Sequence, residues 1–540
     1  SSMDTICRYR MNDFFMRFIF QRTTLITVGV CIFVFFTYLV TMPQELSWGY
    51  MKLGIDSPEL LTASSLFGIT HPPGYPGYTL LLGSLMRVFP FIDPPLLGNV
   101  FSILCFVSAI PLLIRLMTKI SRDIYPEIDL MTAYFCSSSA VLLLAFLPLI
   151  WGVSTITEVY TLNIFAASLI LFCMVEVLLN KNKSRLFHSS RICFISIGIS
   201  LGLLNHLTIL GLFIPVLLLL IYSNGSRMFF SRWFLLPLFF IPLGYCYLVL
   251  RAGTHFPSNW GDPSDVEGFI WLVRATPYQE YFRYPWEAFS WDRIVFPFRI
   301  LFTQIGVIPL FISCIGMRCI WLKNRRLAVT LITISGIFAG YSICYVTIDT
   351  QVNLIPVLVV GAIFTTLVFI EIFRGFTRIL KNNLGTVPIT LKKHPQLIVL
   401  IFFAMPTFSI VANFGSLNLS GESEAYDRGR TILQLGEDDS IYLLSTEEDV
   451  FTSWYVRYVE ETSTKKLPIA VPLMQYEWYL KNNLAELDLT NFTHYNMNQL
   501  ASHIISQAYK EGRMVFIADA NLYDEVKTDD SHNNVHLIEW

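Results

Sequence analysis

Asp56-Ser-Pro-Glu59, followed by Thr70-His-Pro-Pro-Gly-Tyr-Pro-Gly77, stands directly behind the first long apolar run of the chain, at 24–42. It sets two carboxylates three residues apart, then a histidine, then a loop stiffened by prolines, all next to a stretch long enough to cross a bilayer. Carboxylates beside a bilayer cost free energy unless a site uses them. A capping box accounts for the same spacing, with Asp56 as N-cap, Pro58 in the first helical turn and Glu59 as the return partner. Both readings place a helix start at the membrane surface.

Outward from this stretch, the composition sets the class. The chain is 54% hydrophobic and 14% charged, whereas soluble domains run near a quarter charged. Apolar runs of spanning length recur at 24–42, 97–117, 130–150, 158–179, 192–206, 207–222, 233–251, 299–320, 327–348, 352–373 and 396–414, about eleven in all. The pair at 192–222 has to turn at Asn205-His206 with almost no loop. The first run lacks a small-residue cleavage pattern and reads as an anchor.

With a cytoplasmic N-terminus, the inside loops hold Arg8, Arg10, Arg17 and Arg22, then Lys119 and Arg122, then Lys181, Lys183, Arg185 and Arg191, and later Arg227, Arg232, Lys323, Arg325, Arg326, Arg374, Arg378, Lys381, Lys392 and Lys393. That is the positive-inside bias. Segments 43–96, 252–298 and everything past 415 then lie outside. The expected architecture is an all-α polytopic membrane domain, 1–414, and a small α/β extracytoplasmic domain, 415–540. Strands are expected at 440–444, 513–518 and 535–538, with helices at 452–462 and 498–511.

All ten cysteines precede the outer domain, so no disulfide framework is expected there. The net charge of −2 offers nothing to nucleic acid. No CxxC, HExxH or phosphate-cradling glycine loop occurs. The membrane is either a bacterial plasma membrane or, in a eukaryote, that of the endoplasmic reticulum, where Asn418-Leu-Ser and Asn491-Phe-Thr are glycosylation sequons.

On this map the unusual polar residues share one face. Asp56, Glu59 and His71 occupy the first outer loop, Glu158 and Tyr160 the next outer turn, and Asn205 and His206 the third. Arg251, Asn259, Trp260, Asp262, Arg274 and Tyr278 lie at the long loop after the seventh span, and Asp349 at the fifth outer turn. Convergence of this kind argues for one site at the outer leaflet. Chemistry suited to that place moves a sugar from a polyprenyl-phosphate carrier. The leaving phosphate needs cations or hydrogen-bond donors, and the acceptor hydroxyl needs a base. Asp56 is the candidate base, with Glu59 orienting or tuning it. His71, Arg251, Arg274, Asn205 and His206 are candidates for the donor phosphate. Glu158, Tyr160, Asn259, Trp260 and Asp262 are candidates for the substrate site. No metal or other cofactor is required beyond the lipid-linked sugar.

Each of these positions also has a plain structural reading. His71 can pin its loop, Asn205-His206 can satisfy span-end carbonyls, Glu158 can cap a span, and Arg251 can snorkel. Asn259-Trp-Gly-Asp262 can be an ordinary turn anchored by Trp260.

Asp56-Ser-Pro-Glu59 with Gly68-Ile-Thr-His-Pro-Pro-Gly-Tyr-Pro-Gly-Tyr78 resembles the signature of a GT-C-type membrane glycosyltransferase family. That family includes the protein that O-mannosylates the IPT domains of plexins. Glu158-Val-Tyr-Thr-Leu-Asn163, Gly202-Leu-Leu-Asn-His-Leu207, Asn259-Trp-Gly-Asp-Pro263, Phe451 to Glu460 and Glu477-Trp-Tyr479 carry the resemblance along most of the chain. It implies a GT-C fold, polyprenyl- or dolichyl-phosphate mannose as donor, and a protein Ser/Thr hydroxyl as acceptor. Pro58 departs from the family, which has glycine between its acidic residues. The competing expectations are a glycan or lipid acceptor with the same donor, or a transporter or flippase of a lipid-linked sugar. A transporter would carry midplane charges and repeats, which the sequence lacks.

Overall fold

The computed structural model describes residues 2–180, 184–253, 259–283, 290–382, 395–460, 463–484, 487, 497–526 and 534–538. Among these, nine helices are long and apolar enough to cross a membrane, beginning with Gln21–Thr41 and ending with Ile398–Leu417. The pair Leu130–Ala145 and Pro148–Ser154, bent by 71°, meets the same test when its two helices are taken together. Pro148 removes an amide from the helical ladder there, and the Leu149 amide donates instead to Gln304 Oε1 at 2.6 Å.

The eleventh expected span, 299–320, is divided into helices Trp291–Ile305 and Val307–Lys323, which meet at Gly306 with φ 77°. A positive φ is open to glycine at no steric cost, so the helical ladder breaks at that residue. The tight connection at Asn205-His206 forms as expected. Helix Arg185–Asn205 ends, His206 is extended, and a single 3₁₀ turn, Leu207–Ile209, leads into helix Leu210–Asn224.

Helix Pro94–Ile124 is the membrane domain's central element, packing on Ser2–Thr41, Leu130–Ala145 and Tyr160–Leu179. The bundle end opposite the first outer loop carries its own compensated charge. There the Glu176 carboxylate takes Lys119 Nζ and, at 3.4 Å, Arg191 Nε. Pairing is what makes a carboxylate tolerable at that depth.

Beyond the last span, four short strands form a wholly parallel sheet in the order β2-β1-β3-β4. They are β1 (Ile441–Leu444), β2 (Leu467–Ala470), β3 (Val515–Ile517) and β4 (Val535–Leu537). Ile441 pairs with both Leu467 and Val515, and Val515 with Val535. All four residues of β1 are buried, as a central parallel strand requires. Strand β2 was not expected, because Pro468 interrupts its pattern. It lies at the sheet edge, where a missing amide is tolerated.

The outer domain does not stand apart from the loop it covers. Phe451 and Trp454 of helix Glu447–Tyr455 belong to one apolar core with Ile55, Leu60, Leu61 and Ile69 of the first outer loop. Lys52 Nζ meets Glu448 Oε1 at 3.4 Å across the same junction.

Candidate active site

Helix Ser57–Leu66 begins behind Asp56 with Pro58 in its first turn. The capping-box reading does not hold for the side chains, since Asp56 makes no cap hydrogen bond and Glu59 is turned elsewhere. Glu59 is fully buried, and both its oxygens serve His71. The His71 backbone N–H donates to Oε1 at 2.8 Å, and ring Nδ1 lies 2.9 Å from Oε2. On its other side, His71 Nε2 meets Tyr75 Oη at 3.0 Å and lies 3.8 Å from Asp56 Oδ2. The sequence from Thr70 to Gly77 thus bends the chain until His71 sits between the two carboxylates. Gly74 adopts φ 93°, and Gly77 leaves no room for a Cβ, which would stand 2.8 Å from Leu204 Cβ.

These groups open into a cavity of about 830 Å³, within the range of small-ligand sites. Its polar lining includes Lys52, Asp56, His71, Glu158, Arg274, Asp349 and Glu447. Its lining also includes apolar side chains from two spans, Leu210 on one and Ile337 and Phe338 on the other.

The electrostatics follow from burial and charge. Burial lifts the Asp56 carboxyl to about 7; the His71 imidazolium pulls it down, and the Glu447, Asp349 and Glu59 carboxylates push it up. For His71, burial works to lower the pKa, but the Glu59 and Asp56 carboxylates outweigh it and raise it to about 9. His71 is therefore an imidazolium at neutral pH, donating from Nδ1 to Glu59 and from Nε2 to Tyr75 Oη. His206 is the opposite case. Burial lowers it to about 4, against Asp349, so the ring is neutral. Its Nδ1 accepts from the Thr208 amide at 3.2 Å, which leaves the proton on Nε2 as a donor. Burial and the Asp56 and Asp349 carboxylates push Glu158 well above the usual carboxylate range.

The structure divides the residues singled out from the sequence. Asp56, His71, Glu158, Tyr160, His206 and Arg274 line the cavity. Glu59 stands behind His71. The phosphate role expected of Arg251 and Asn205 does not match their placement. Arg251 donates to the carbonyls of Phe67 at 2.5 Å and Leu66 at 2.9 Å, closing a helix end whose C-cap, Phe67, is left-handed with φ 50°. Asn205 is buried and donates to Val159 O and Asn163 Oδ1.

Asn259, Trp260 and Asp262 are scaffold around the cavity and do not line it. Asn259 bridges to Ile69, the Trp260 ring stands 6.2 Å from that of His71, and Asp262 accepts from the Gly253 amide at 3.1 Å. Three lining residues carried little or no sequence signal. Asp349 is an isolated acid that accepts from Tyr160 Oη at 2.9 Å. Lys52 ends the short 3₁₀ turn Tyr50–Lys52, and Glu447 comes from the distant helix Glu447–Tyr455.

The chain is similar to known proteins in both sequence and fold. The family model described as "Protein O-mannosyl-transferase TMEM260 N-terminal domain" matches residues 56–228, the segment that holds Asp56, Glu59, His71, Glu158 and His206. The chain is 23% identical over 85% of its length to protein O-mannosyl-transferase tmem260 of Dictyostelium discoideum, and 22% identical over 86% to TMEM260 of Mus musculus. It spans 59% and 65% of the length of those two relatives.

Among solved structures, ArnT from Cupriavidus metallidurans with bound undecaprenyl phosphate superposes over 80% of this chain and 84% of its own, with TM-score 0.52 at 12% identity. The Archaeoglobus fulgidus oligosaccharyltransferase superposes over 91% and 69%, with TM-score 0.51 at 11% identity. The chain thus has the GT-C fold of these two proteins, and its residues 56–228 match the TMEM260 O-mannosyl-transferase N-terminal domain.

Proposed function

We propose that this protein is an inverting glycosyltransferase that moves a sugar, mannose by its relatives' names, from a polyprenyl-phosphate carrier to a protein Ser/Thr hydroxyl. One observation carries the reading. A carboxylate with a pKa near 7 is held 3.8 Å from an imidazolium, in a cavity whose walls include apolar residues of two spans. A general base works best with a pKa close to the operating pH, and a lipid-linked substrate needs such a wall beside its head group. The undecaprenyl phosphate bound to the similarly folded ArnT supports the donor class.

The step is a direct displacement. The acceptor oxygen bonds to the anomeric carbon as the carbon–oxygen bond to phosphate breaks. The electron pair leaves on the polyprenyl phosphate, and the hydroxyl proton passes to Asp56. His71, pinned by Glu59, keeps Asp56 ionised. Arg274 and the Nε2–H of His206 meet the charge that grows on the leaving phosphate. No step is assigned to a metal ion. The site faces the extracytoplasmic side in this reading, as the distribution of Arg and Lys favours.

Radiolabelled polyprenyl-phosphate mannose supplied to the purified protein tests the proposal, with and without acceptor peptides. Sugar release that is lost in Asp56→Asn supports it. Equal release by protein shown to be folded and carrying Asp56→Asn refutes it.

A further inference from the structure

Helix Glu447–Tyr455 of the outer domain opens with three acidic residues, Glu447, Glu448 and Asp449, behind the N-cap Thr446. A helix dipole favours acids in a first turn, but here each acid has its own destination. Asp449 is buried against Arg428 Nε at 2.7 Å. Glu448 pairs with Lys52 of the first outer loop. Glu447 enters the cavity wall with Asp56, His71 and Arg274. The helix rests on Ser57–Leu66, and both bury side chains in one core. The position of Glu447 is therefore fixed by the same packing that fixes Asp56.

We propose that the outer domain is a working part of the active site, and that Glu447 is a positioning residue it inserts into the cavity to act on the Asp56–His71 pair. This rests on the reading of Asp56 as base. The charges acting on Glu447 are those of His71, Glu448, Asp349 and Glu59, and it acts on Tyr278 in turn. Those acting on Asp56 are His71, Glu447, Asp349 and Glu59, and Lys52, Glu158, Arg274 and Tyr278 line the same cavity. In this company the Glu447 carboxylate raises the proton affinity of Asp56 and helps to hold His71 charged. A stronger base and a persistent imidazolium both depend on the outer domain being seated. A domain that served only to recruit partners would have no such effect.

The test uses the full chain carrying Glu447→Gln, which keeps the side chain's size and leaves the apolar core untouched. Two quantities are read. The first is the acid limb of kcat/KM for donor consumption. Loss of one negative charge lowers the pKa of Asp56, so the limb moves to lower pH by roughly half a unit. The second is the titration of His71 by NMR. Its midpoint of about 9 distinguishes it from exposed imidazoles near 6.5, and it too moves down.

If turnover is present and neither quantity moves, the inference is overturned while the base reading stands. If the wild-type protein consumes no donor, the base reading falls, and the His71 titration alone decides whether Glu447 acts on the pair. Lower activity at every pH with both midpoints unchanged marks Glu447 as structural and also overturns the proposal.

Discussion

Glu59→Gln isolates the electrostatics of the site with little cost to folding. The amide keeps the volume of the side chain, its oxygen still accepts from the His71 N–H, and its NH₂ donates to Nδ1 of a neutral ring. His71 then loses its charge at neutral pH, and Asp56 loses the cation 3.8 Å from Oδ2. At that separation two unit charges interact by about 4 kcal/mol at an effective dielectric of ~20, and by about 1 kcal/mol in water. Asp56 is 34% exposed to the cavity, so the lower figure weighs more. The lost Glu59 charge offsets part of the effect, but it lies on the far side of the ring. A net rise of about one pH unit in the Asp56 pKa follows, from about 7 to roughly 8.

With Asp56 as base, the ionised fraction at pH 7 drops from about one half to about one tenth. kcat/KM for donor consumption then falls roughly fivefold at pH 7 and recovers to within about twofold at pH 8.5. A pH–rate profile on wild-type and Glu59→Gln protein measures both. A loss that is equal at every pH, or an acid limb displaced downward, refutes the reasoning.

Asp56→Asn lowers kcat by about 10²–10⁴ while donor binding persists, a split that single-turnover kinetics with the labelled lipid resolves. Arg274→Ala raises KM for the donor about tenfold, as expected for the loss of a charge-assisted contact. Arg251→Ala instead frees the carbonyls of Leu66 and Phe67 and lowers Tm, leaving KM of the folded fraction unchanged; equal KM effects in the two variants would contradict the division between them. Stability carries its own pH signature. The raised pKa of His71 contributes on the order of 3 kcal/mol, fully present below about pH 6.5 and lost as pH rises through about 9. Wild-type Tm accordingly falls between pH 7 and 10 more steeply than that of Glu59→Gln. Donor turnover is expected to withstand EDTA, because the proposed step takes its base from Asp56 and its positive charge from His71 and Arg274.

What the sequence determined by itself was local. A span is a run of about twenty apolar residues, so the nine long apolar helices were legible, down to the turn at Asn205-His206. Only the stretch 299–320, broken at Gly306, deceived the pattern. The motif around Asp56 and His71 was legible because its parts are neighbours in the chain and its glycines and prolines dictate their own turns. The strands β1 and β3 announced themselves by continuous apolar runs and β4 by the Val535-His-Leu-Ile538 pattern, and β2 did not, because Pro468 hides it.

The tertiary structure alone decided what each polar group does. A carboxylate three residues into a helix reads as a cap, and only the approach of the Thr70–Gly77 loop gave Glu59 the imidazole to hold. An arginine at a span end reads as a phosphate ligand, and only the left-handed C-cap at Phe67 presented the carbonyls that take Arg251. Glu447 had no signal at all. An acid in a first helical turn is ordinary, and its place in the cavity lining exists because an apolar core shared by two distant segments packs its helix onto the Asp56 helix. Hydropathy and turn chemistry act through adjacent residues, whereas charge acts through space, and that space is made only when the core assembles.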